Sequence, residues 1–410
     1  MRRLYTALLG VALPLVLLRL WWRGRREPGY REHVAERLGN YDQDRHEKVI
    51  WVHAVSVGEA RAAAPLVQGL QRALPDHTLL VTCTTAAGRA TLKQVYGETV
   101  QASFVPYDYP GAVQRFLEYF RPRLGVIMET EVWPNLLAGC AENGVPVLLA
   151  NGRMSEKSAR GYARWDGLTR PAFGAFSAVC AQTAADAQRL SALGAKRVQV
   201  TGNLKFDVAP NPDQLAAGRA WRQQLGRPVL LLASTREGEE PLLLDELRQL
   251  DDRFLTLVVP RHPQRFDEVA QLAQSRRTLT PLPAATDRVH LGDTMGEMAF
   301  YFAAADVAVI GGSFMPLGGQ NLIEALAAGT PVVCGPSMFN FAEATRLAVA
   351  GGAAIQAPDA RAALREALGL LRDDNRRRTM GEAGRVFCES HRGAAQRQLQ
   401  VCLEVLSSKR

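Results

Sequence analysis

The stretch Ile310-Gly-Gly-Ser-Phe-Met-Pro-Leu-Gly-Gly-Gln-Asn-Leu-Ile-Glu324 decides the fold. It follows Asp306-Val-Ala-Val-Ile310, a β-branched apolar run that is typical of a buried parallel strand. It leads into Leu322-Ile-Glu-Ala-Leu-Ala-Ala328, whose apolar spacing predicts a helix. A glycine-rich turn from a strand into a helix suits a bound phosphate, because it presents free N–H groups and a positive helix end.

The same turn supplies candidate ligand contacts. The glycines at which its backbone can take positive φ and approach a ligand closely are Gly311, Gly312, Gly318 and Gly319. Ser313 lies in the same turn, and Glu324 falls in the first turn of the helix, where its carboxylate can accept hydrogen bonds from ribose hydroxyls. Tight turns also use glycines, so the combination with Asn321 and Glu324 is more specific than the glycines alone.

Strand and helix patterns alternate on both sides of this stretch. Strands are predicted at 49–53, 78–82, 103–106, 124–128, 145–149, 178–181, 198–200, 229–233, 255–259, 289–291, 307–310, 331–334 and 353–356. Helices are predicted at 59–74, 86–96, 112–120, 134–142, 359–371 and 374–407, the last broken near Gly393. Such alternation predicts an α/β fold of two doubly wound, mostly parallel sheets. Because ligands bind at the carboxyl ends of such strands, we expect two facing sheets to put the site in a cleft.

The length of 410 residues and a hydrophobic content of 47% fit a globular chain of two domains. The predicted division is an N-terminal anchor at 1–30, a first domain at 31–208, a linker at 209–227 and a second domain at 228–385. A C-terminal helix at 386–410 is expected to pack back on the first domain.

The N-terminal run from Leu4 to Trp22 is near the length that spans a bilayer. More arginines follow this run than precede it, among them Arg23, Arg25 and Arg26, which predicts that the anchor is retained and that the domains lie in the cytoplasm. A helix that lies in the membrane interface is the alternative.

The net charge indicates the class of partner, and the cysteine pattern indicates the redox compartment. A net charge of +8 favours acidic partners, such as anionic lipid, phosphate-bearing substrates or nucleic acid. The six cysteines show no CxxC spacing, which predicts small buried side chains in a reducing compartment. No cluster of His, Cys and Asp has the spacing of metal ligands, so neither a metal nor a cofactor is predicted.

Three carboxylates and one lysine in the first half are candidates for chemistry. In His53-Ala-Val-Ser-Val-Gly-Glu59, Glu59 begins a helix and is a candidate general base, or alternatively only a capping residue. The helix end is expected to keep the Glu59 carboxylate ionised, and hence a weak base, unless the binding of an acceptor substrate desolvates it. Glu129 and Glu131 follow a buried strand, and Lys205 follows the last strand; all three could otherwise be solvated surface residues.

The second half supplies candidate contacts for a phosphate and a base. Arg261 and His262 stand at the end of a strand, where an arginine fork can hold phosphate and the histidine orients rather than titrates. Met295, Gly296 and Glu297 lie in a further glycine turn, where backbone groups could contact the base of a nucleotide.

In combination, these motifs resemble those of bacterial 3-deoxy-D-manno-octulosonic acid (Kdo) transferases. The matching segments are 53–59, 128–135, 202–207, 259–262, 292–297 and 319–324, in the expected order and over essentially the whole chain. One departure is Glu36-Arg37-Leu38-Gly39, where the family pattern has a tryptophan-containing version.

The resemblance implies two Rossmann-like domains facing a cleft, the glycosyltransferase-B fold, with an N-terminal membrane-anchor helix. It implies CMP-Kdo as donor, the lipid A precursor lipid IVA as acceptor, and a place at the inner face of the cytoplasmic membrane among anionic lipids, without a nucleic-acid partner. Glu59 would deprotonate the acceptor hydroxyl, and Glu129 and Lys205 would stabilise the transition state. The implied CMP contacts are Arg261, His262, Met295, Gly296, Glu297, Asn321, Leu322, Ile323 and Glu324, beside the turn of Gly311, Gly312 and Ser313.

Two other hypotheses stay open. One is another glycosyltransferase-B enzyme or an epimerase that uses a UDP-sugar. The other is a catalytically silent nucleotide-binding scaffold at the membrane.

Overall fold

The computed structural model describes residues 1–25, 27–248 and 254–408. Arg26, part of the positive flank of the N-terminal run, lies outside these ranges. The chain splits into two compact units. Unit 1 comprises residues 1–208 and the last segment from Arg392, and unit 2 comprises residues 209–391.

Unit 1 is built on a parallel sheet. Its strands are β1 Val49–His53, β2 Thr78–Cys83, β3 Gln101–Phe104, β4 Pro122–Met128, β5 Val147–Gly152, β6 Ala178–Ala181 and β7 Val198–Val200. Within the described ranges they form one seven-stranded sheet in the order β3-β2-β1-β4-β5-β6-β7. The strands β1 and β5 are buried along their whole length, as unbroken apolar runs predict. Because β1 and β4 are parallel neighbours, their carboxyl ends open at the same edge.

Helices cover both faces of this sheet. They are α1 Arg2–Arg23, α2 Val34–Arg37, α3 Val57–Ala62, α4 Ala64–Ala73, α5 Ala86–Tyr96, α6 Pro110–Phe120, α7 Pro134–Glu142, α8 Glu156–Ala163, α9 Asp166–Gly174 and α10 Ala184–Ala192, with short 3₁₀ turns at Pro28–Tyr30 and Leu204–Asp207. One apolar core joins the sheet to α4 and α5, and a second joins it to α6, α7 and α9.

Unit 2 repeats the same architecture. Its strands are β8 Val229–Thr235, β9 Leu255–Pro260, β10 Ser275–Arg276, β11 Val289–Leu291, β12 Val307–Ile310, β13 Val332–Cys334 and β14 Ala354–Gln356. In the described part of the chain they pair in parallel in the order β10-β11-β9-β8-β12-β13-β14. The predicted α/β class with two doubly wound sheets is therefore confirmed.

The helices of the second half begin inside the segment predicted to be a linker. They are α11 Pro212–Leu225, α12 Glu239–Leu247, α13 Phe266–Ala270, α14 Met298–Ala303, α15 Ile323–Ala328, α16 Ala342–Ala350, α17 Ala360–Arg372, α18 Asp374–Ser390 and α19 Ala394–Ser407, with a 3₁₀ turn at Pro263–Arg265. Asn211 caps α11 and Pro212 occupies its first turn, so most of the predicted linker at 209–227 is a helix. The predicted break at Gly393 is confirmed, since φ is +93° there, and α19 packs in unit 1.

The N-terminal helix α1 is docked along one side. Tyr5 donates to an Asp108 carboxylate oxygen at 2.9 Å, and the hydroxyl of Thr6 donates to the Oδ1 of Asn135 at 3.1 Å. The opposite side exposes the apolar residues Leu4, Leu8, Val11, Leu15, Leu18 and Trp22. Among the described residues, α1 is the one helix long and apolar enough to cross a membrane, judged by length and composition.

A buried ion pair lies in unit 2. Glu240 is fully buried and accepts two hydrogen bonds from the guanidinium of Arg265, at 2.6 and 3.0 Å, and one from the hydroxyl of Thr235. The six cysteines are buried and free, as predicted.

Replacing Glu240 with glutamine is expected to lower the free energy of unfolding by about 3 kcal/mol, because Arg265 would keep a buried charge without its main partner. Urea unfolding of the variant measures this loss. Glu343→Gln is the matched control, since its ion pair with Arg346 is largely exposed and should be worth about 1 kcal/mol or less. An equal, small effect of both substitutions would contradict the assignment of Glu240 as a buried structural partner.

Candidate active site

Glu59 stands at the start of α3, next to the carboxyl end of β1. The hydroxyl of Ser56 caps the helix, with the N–H of Glu59 at 3.5 Å. The Glu59 carboxylate in turn accepts the N–H of Val55 at 2.9 Å and lies 3.4 Å from the Ser56 hydroxyl. Ser56 thus caps α3, and the Glu59 carboxylate reaches back to the backbone just before the helix, so the side chain is fixed in one place.

Burial raises the pKa of Glu59 to about 8, and the negative charge of Glu129 adds to the shift. The expectation that the helix end keeps Glu59 ionised as a weak base is therefore wrong. The helix α3 has only six residues, and its favourable end is outweighed by desolvation and by the neighbouring carboxylates. A carboxylate with a pKa near 8 is well matched to accepting a proton near neutral pH.

Glu129 and Lys205 form an ion pair beside Glu59. The Nζ of Lys205 donates to the Oε1 of Glu129 at 3.1 Å, and both side chains are mostly buried. Glu129 has a φ of +55°, a left-handed conformation that is uncommon away from glycine. The backbone after β4 thus holds this carboxylate in a conformation that must be maintained by its surroundings. Neither residue is the solvated surface group that the sequence left as an alternative.

A buried amide network fixes the segment that carries Lys205. The side chain of Asn203 accepts the backbone N–H of Lys205 at 3.0 Å, and Asn151 accepts the N–H of Leu204, also at 3.0 Å. Gln398, from α19, accepts the N–H of Asn151 at 3.0 Å. The sequence analysis missed Asn151 and Gln398, because an amide in a strand and one in a distant helix carry no local motif.

Glu131 completes the group of carboxylates at this edge. Its carboxylate accepts the indole N–H of Trp133 at 2.7 Å, and burial raises its pKa. The Trp133 ring stands edge-on to His53, whose pKa burial lowers to about 4, so the imidazole is neutral. Unit 1 therefore brings together three carboxylates and one ammonium group, those of Glu59, Glu129, Glu131 and Lys205.

In unit 2, Arg261 and His262 follow β9 as predicted. The N–H of Arg261 donates to the carbonyl of Thr235 at 2.9 Å, which joins the ends of β9 and β8. Burial and the positive charges of Arg236 and Arg261 lower the pKa of His262, so the imidazole is neutral near pH 7. Arg236, which the sequence analysis did not single out, thus belongs to the same cluster.

The glycine turn after β12 uses part of its N–H groups internally. The N–H of Gly312 donates to Glu239 at 2.6 Å, and the N–H of Gly311 donates to Ala233 at 2.8 Å. Ser313 is fully buried, with its hydroxyl between the carbonyl of Ile310 and the N–H of Gly335. The N–H groups of Gly318 and Gly319 are also bonded internally, to the Ser337 hydroxyl at 3.1 Å and to the carbonyl of Gly312 at 2.8 Å. The prediction that this turn presents free N–H groups to a phosphate is therefore wrong for its four glycines.

The turn after β11 is held by polar contacts. The guanidinium of Arg277 donates to both oxygens of Glu297, at 3.1 and 3.3 Å, and this pairing lowers the pKa of Glu297. Gly296 has a φ of +82°, and the side chain of Met295 is exposed. The backbone of this turn and the thioether of Met295 are therefore the groups that the base of a nucleotide could contact.

The last predicted segment begins α15. The side chain of Asn321 accepts the N–H of Ile323 at 3.1 Å and donates to the Glu324 carboxylate at 2.8 Å. Leu322 and Ile323 are buried in the core, so only their backbone groups could contact a ligand. Glu324 is half-buried, with its carboxylate oriented by Asn321.

Family models match both halves of the chain. Residues 32–208 match the family described as 3-Deoxy-D-manno-octulosonic-acid transferase (kdotransferase), and residues 285–387 match Glycosyl transferases group 1. Among solved structures, HepE of Anabaena in complex with UDP has a TM-score of 0.60 at 17% identity, over 88% of this chain and 100% of that one. A glycosyltransferase from Rickettsia africae has a TM-score of 0.61 at 14% identity, over 88% and 98%. At these identities the likeness shows the glycosyltransferase-B type of fold alone.

Sequence relatives are much more similar. The 3-deoxy-D-manno-octulosonic acid transferase of Bordetella pertussis is 48% identical over 97% of this chain and 98% of that protein. The Haemophilus influenzae enzyme of the same name is 34% identical over 98% and 97%. The order of motifs, the fold and these relatives agree, and the chain belongs to the 3-deoxy-D-manno-octulosonic acid (Kdo) transferases, a family of glycosyltransferases.

Proposed function

We propose that the protein transfers Kdo from CMP-Kdo to a hydroxyl of the lipid A precursor lipid IVA, with inversion at the anomeric carbon. The observation that supports this most directly is the arrangement of Glu59 beside the Glu129–Lys205 ion pair, in a chain nearly half identical to a named Kdo transferase. One acid with a raised pKa provides a base, and the pair provides fixed charges for a polar transition state.

The proposed reaction is a single displacement. Glu59 takes the proton of the acceptor hydroxyl, and the resulting oxygen forms a bond to C2 of Kdo. The bond between C2 and the phosphate oxygen breaks, and CMP leaves with the electron pair. Because C3 of Kdo carries no hydroxyl, C2 develops oxocarbenium character, which the negative charge of Glu129 would stabilise. Lys205 would neutralise the leaving phosphate or the carboxylate of the sugar.

The binding of CMP is assigned to unit 2. We infer that Arg261 neutralises the phosphate and that Glu324, oriented by Asn321, accepts hydrogen bonds from the ribose hydroxyls. The turn of Met295 and Gly296 would receive the base through backbone groups. An arginine, a lysine and helix ends can balance a monophosphate leaving group, which is why no metal is part of the proposal.

We also propose that the protein works at the cytoplasmic face of the inner membrane, with anionic lipids as neighbours. Polar contacts at Tyr5 and Thr6 tie one side of α1 to unit 1, and its other side exposes an apolar row. A helix docked in this way would insert its free side into the interface. The net charge of +8 suits both an anionic bilayer and a phosphorylated acceptor.

Product analysis tests the function. Purified protein, CMP-Kdo and a tetraacylated lipid A precursor are expected to give, by mass spectrometry, the precursor enlarged by Kdo and an equivalent of CMP. UDP-sugars replace CMP-Kdo in parallel reactions. Turnover of the UDP compounds alone would support the UDP-sugar hypothesis, and no turnover of any donor by folded protein would support the silent scaffold.

The reaction is expected to depend on pH through Glu59. The value of kcat/KM should rise about tenfold per pH unit and level off near pH 8, since only the ionised carboxylate accepts a proton. The contribution of Glu59 to the free energy of unfolding should change with pH in the opposite direction. The folded state holds the proton up to about pH 8, whereas the unfolded chain loses it near 4.5, so the contribution of Glu59 to stability falls as pH rises between these values. A rate that is flat from pH 6 to 9 would exclude this assignment.

A further inference from the structure

The carboxyl end of β8 carries an arginine that no motif pointed to. Thr235 pairs with Pro260 in the register of β8 and β9, so the next residues, Arg236 and Arg261, are neighbours at the strand ends. Adjacent strands lie about 4.8 Å apart. The two arginines are therefore anchored side by side at the end of the sheet where ligands bind.

The backbone of Arg236 is fixed by a buried acid. Its N–H donates to the carboxylate of Glu239 at 2.9 Å, and its carbonyl accepts the N–H of Glu239 at 3.0 Å. Glu239 is fully buried and also accepts the N–H groups of Gly312 and Phe314, at 2.6 and 3.0 Å. One carboxylate thus locks the turn after β8 to the glycine turn after β12, so Arg236 starts from a rigid position.

The buried carboxylates near Arg236 are already hydrogen-bonded to other groups. Glu239 is saturated by three backbone N–H groups, and Glu240 is held by Arg265 and Thr235. Within the described ranges, the half-buried Arg236 side chain makes no ion pair and no hydrogen bond, even with the adjacent Glu237. In contrast, the charge of Arg265 is balanced by Glu240 and Glu268. An unpaired, half-buried guanidinium at Arg236, beside the positive charge of Arg261, is unfavourable unless an anion binds it.

We propose that Arg236 binds the carboxylate of the donor sugar, while Arg261 binds the phosphate. This inference rests on the proposed function, because an octulosonic acid linked to CMP carries two anionic groups close together. A guanidinium matches a carboxylate with two parallel N–H donors, and it does so best when its backbone is already fixed. Arg236 would then select a sugar acid over neutral sugars, which the nucleotide contacts alone cannot do.

The test compares a ligand that has the carboxylate with one that lacks it. For Arg236→Gln, the KM for CMP-Kdo is expected to rise about 10- to 100-fold, whereas the inhibition constant of CMP should change by less than about twofold. Arg261→Gln is expected to weaken both ligands, since both contain the phosphate. Arg236→Lys should recover part of the loss, because it restores the charge without the fork.

Three controls distinguish a loss of carboxylate binding from misfolding and from a failure of the proposed function. Glu237→Gln changes the exposed neighbour of Arg236 and should leave both constants unaltered, and thermal unfolding confirms that each variant is folded. An equal loss of CMP-Kdo and CMP affinity in Arg236→Gln would overturn the carboxylate assignment, and so would no loss of either. Failure of the unmodified protein to use CMP-Kdo would instead overturn the proposed function.

Discussion

Replacing Glu59 with glutamine is expected to lower kcat by about 10³-fold, within the range of general-base catalysis. Glutamine can still accept the N–H of Val55 and the hydroxyl contact of Ser56, so the capping of α3 should persist. What the substitution removes is the group that takes the proton from the acceptor hydroxyl. Initial rates at saturating acceptor and donor measure the effect.

Glu156→Gln is the matched control for this substitution. Glu156 also stands in the first turn of a helix, α8, but it is exposed, and its ion pair with Arg160 is solvated. The control is expected to keep full activity. If Glu59→Gln retained more than a tenth of the activity with an unchanged melting temperature, Glu59 would not be the base.

Replacing Lys205 with methionine is expected to lower kcat by about 10²- to 10³-fold, the size of effect seen when one fixed electrostatic partner of a transition state is removed. Glu129 would also be left mostly buried without its cation. Since the charge of Lys205 lowers the pKa of Glu59, its removal should additionally move the break in the pH profile to higher pH.

The two effects of Lys205 can be separated from a loss of surface charge. Lys196 is exposed, and Lys196→Met removes the same charge from unit 1. This control should change neither kcat nor the pH profile. A Lys205→Met enzyme with a raised KM, an unchanged kcat and an unmoved pH profile would assign Lys205 to binding alone.

The fold was largely predictable because buried parallel strands leave unbroken apolar runs. The bounds of β6, β11 and β12 agree residue for residue with the prediction. The two-residue strand β10, Ser275–Arg276, was missed because polar residues at a sheet edge form no such run. Helix α11 was missed because its N-terminal proline was taken for part of a linker.

The candidate site was predictable only in part. The sequence located Glu59 at a helix start, where local electrostatics favour the ionised form. The opposite shift arises from burial and from Glu129, which is seventy residues away and reaches Glu59 through the pairing of β1 with β4. Glu239 and Arg236 were missed for a similar reason, since the groups that lie beside them, the turn of Gly312 and Phe314 and the residue Arg261, follow other strands.

The C-terminal helix has a consequence for biosynthesis. Asp207 accepts the N–H groups of Gly393 and Ala395, each at 2.6 Å, and Val401, Cys402 and Val405 of α19 complete a core of unit 1. The half of the protein that the ribosome makes first therefore lacks part of its interior until the final codons are translated. We expect a stop codon near position 390 to disable unit 1, far from the lesion in the message, and a nascent chain to need chaperone protection until termination.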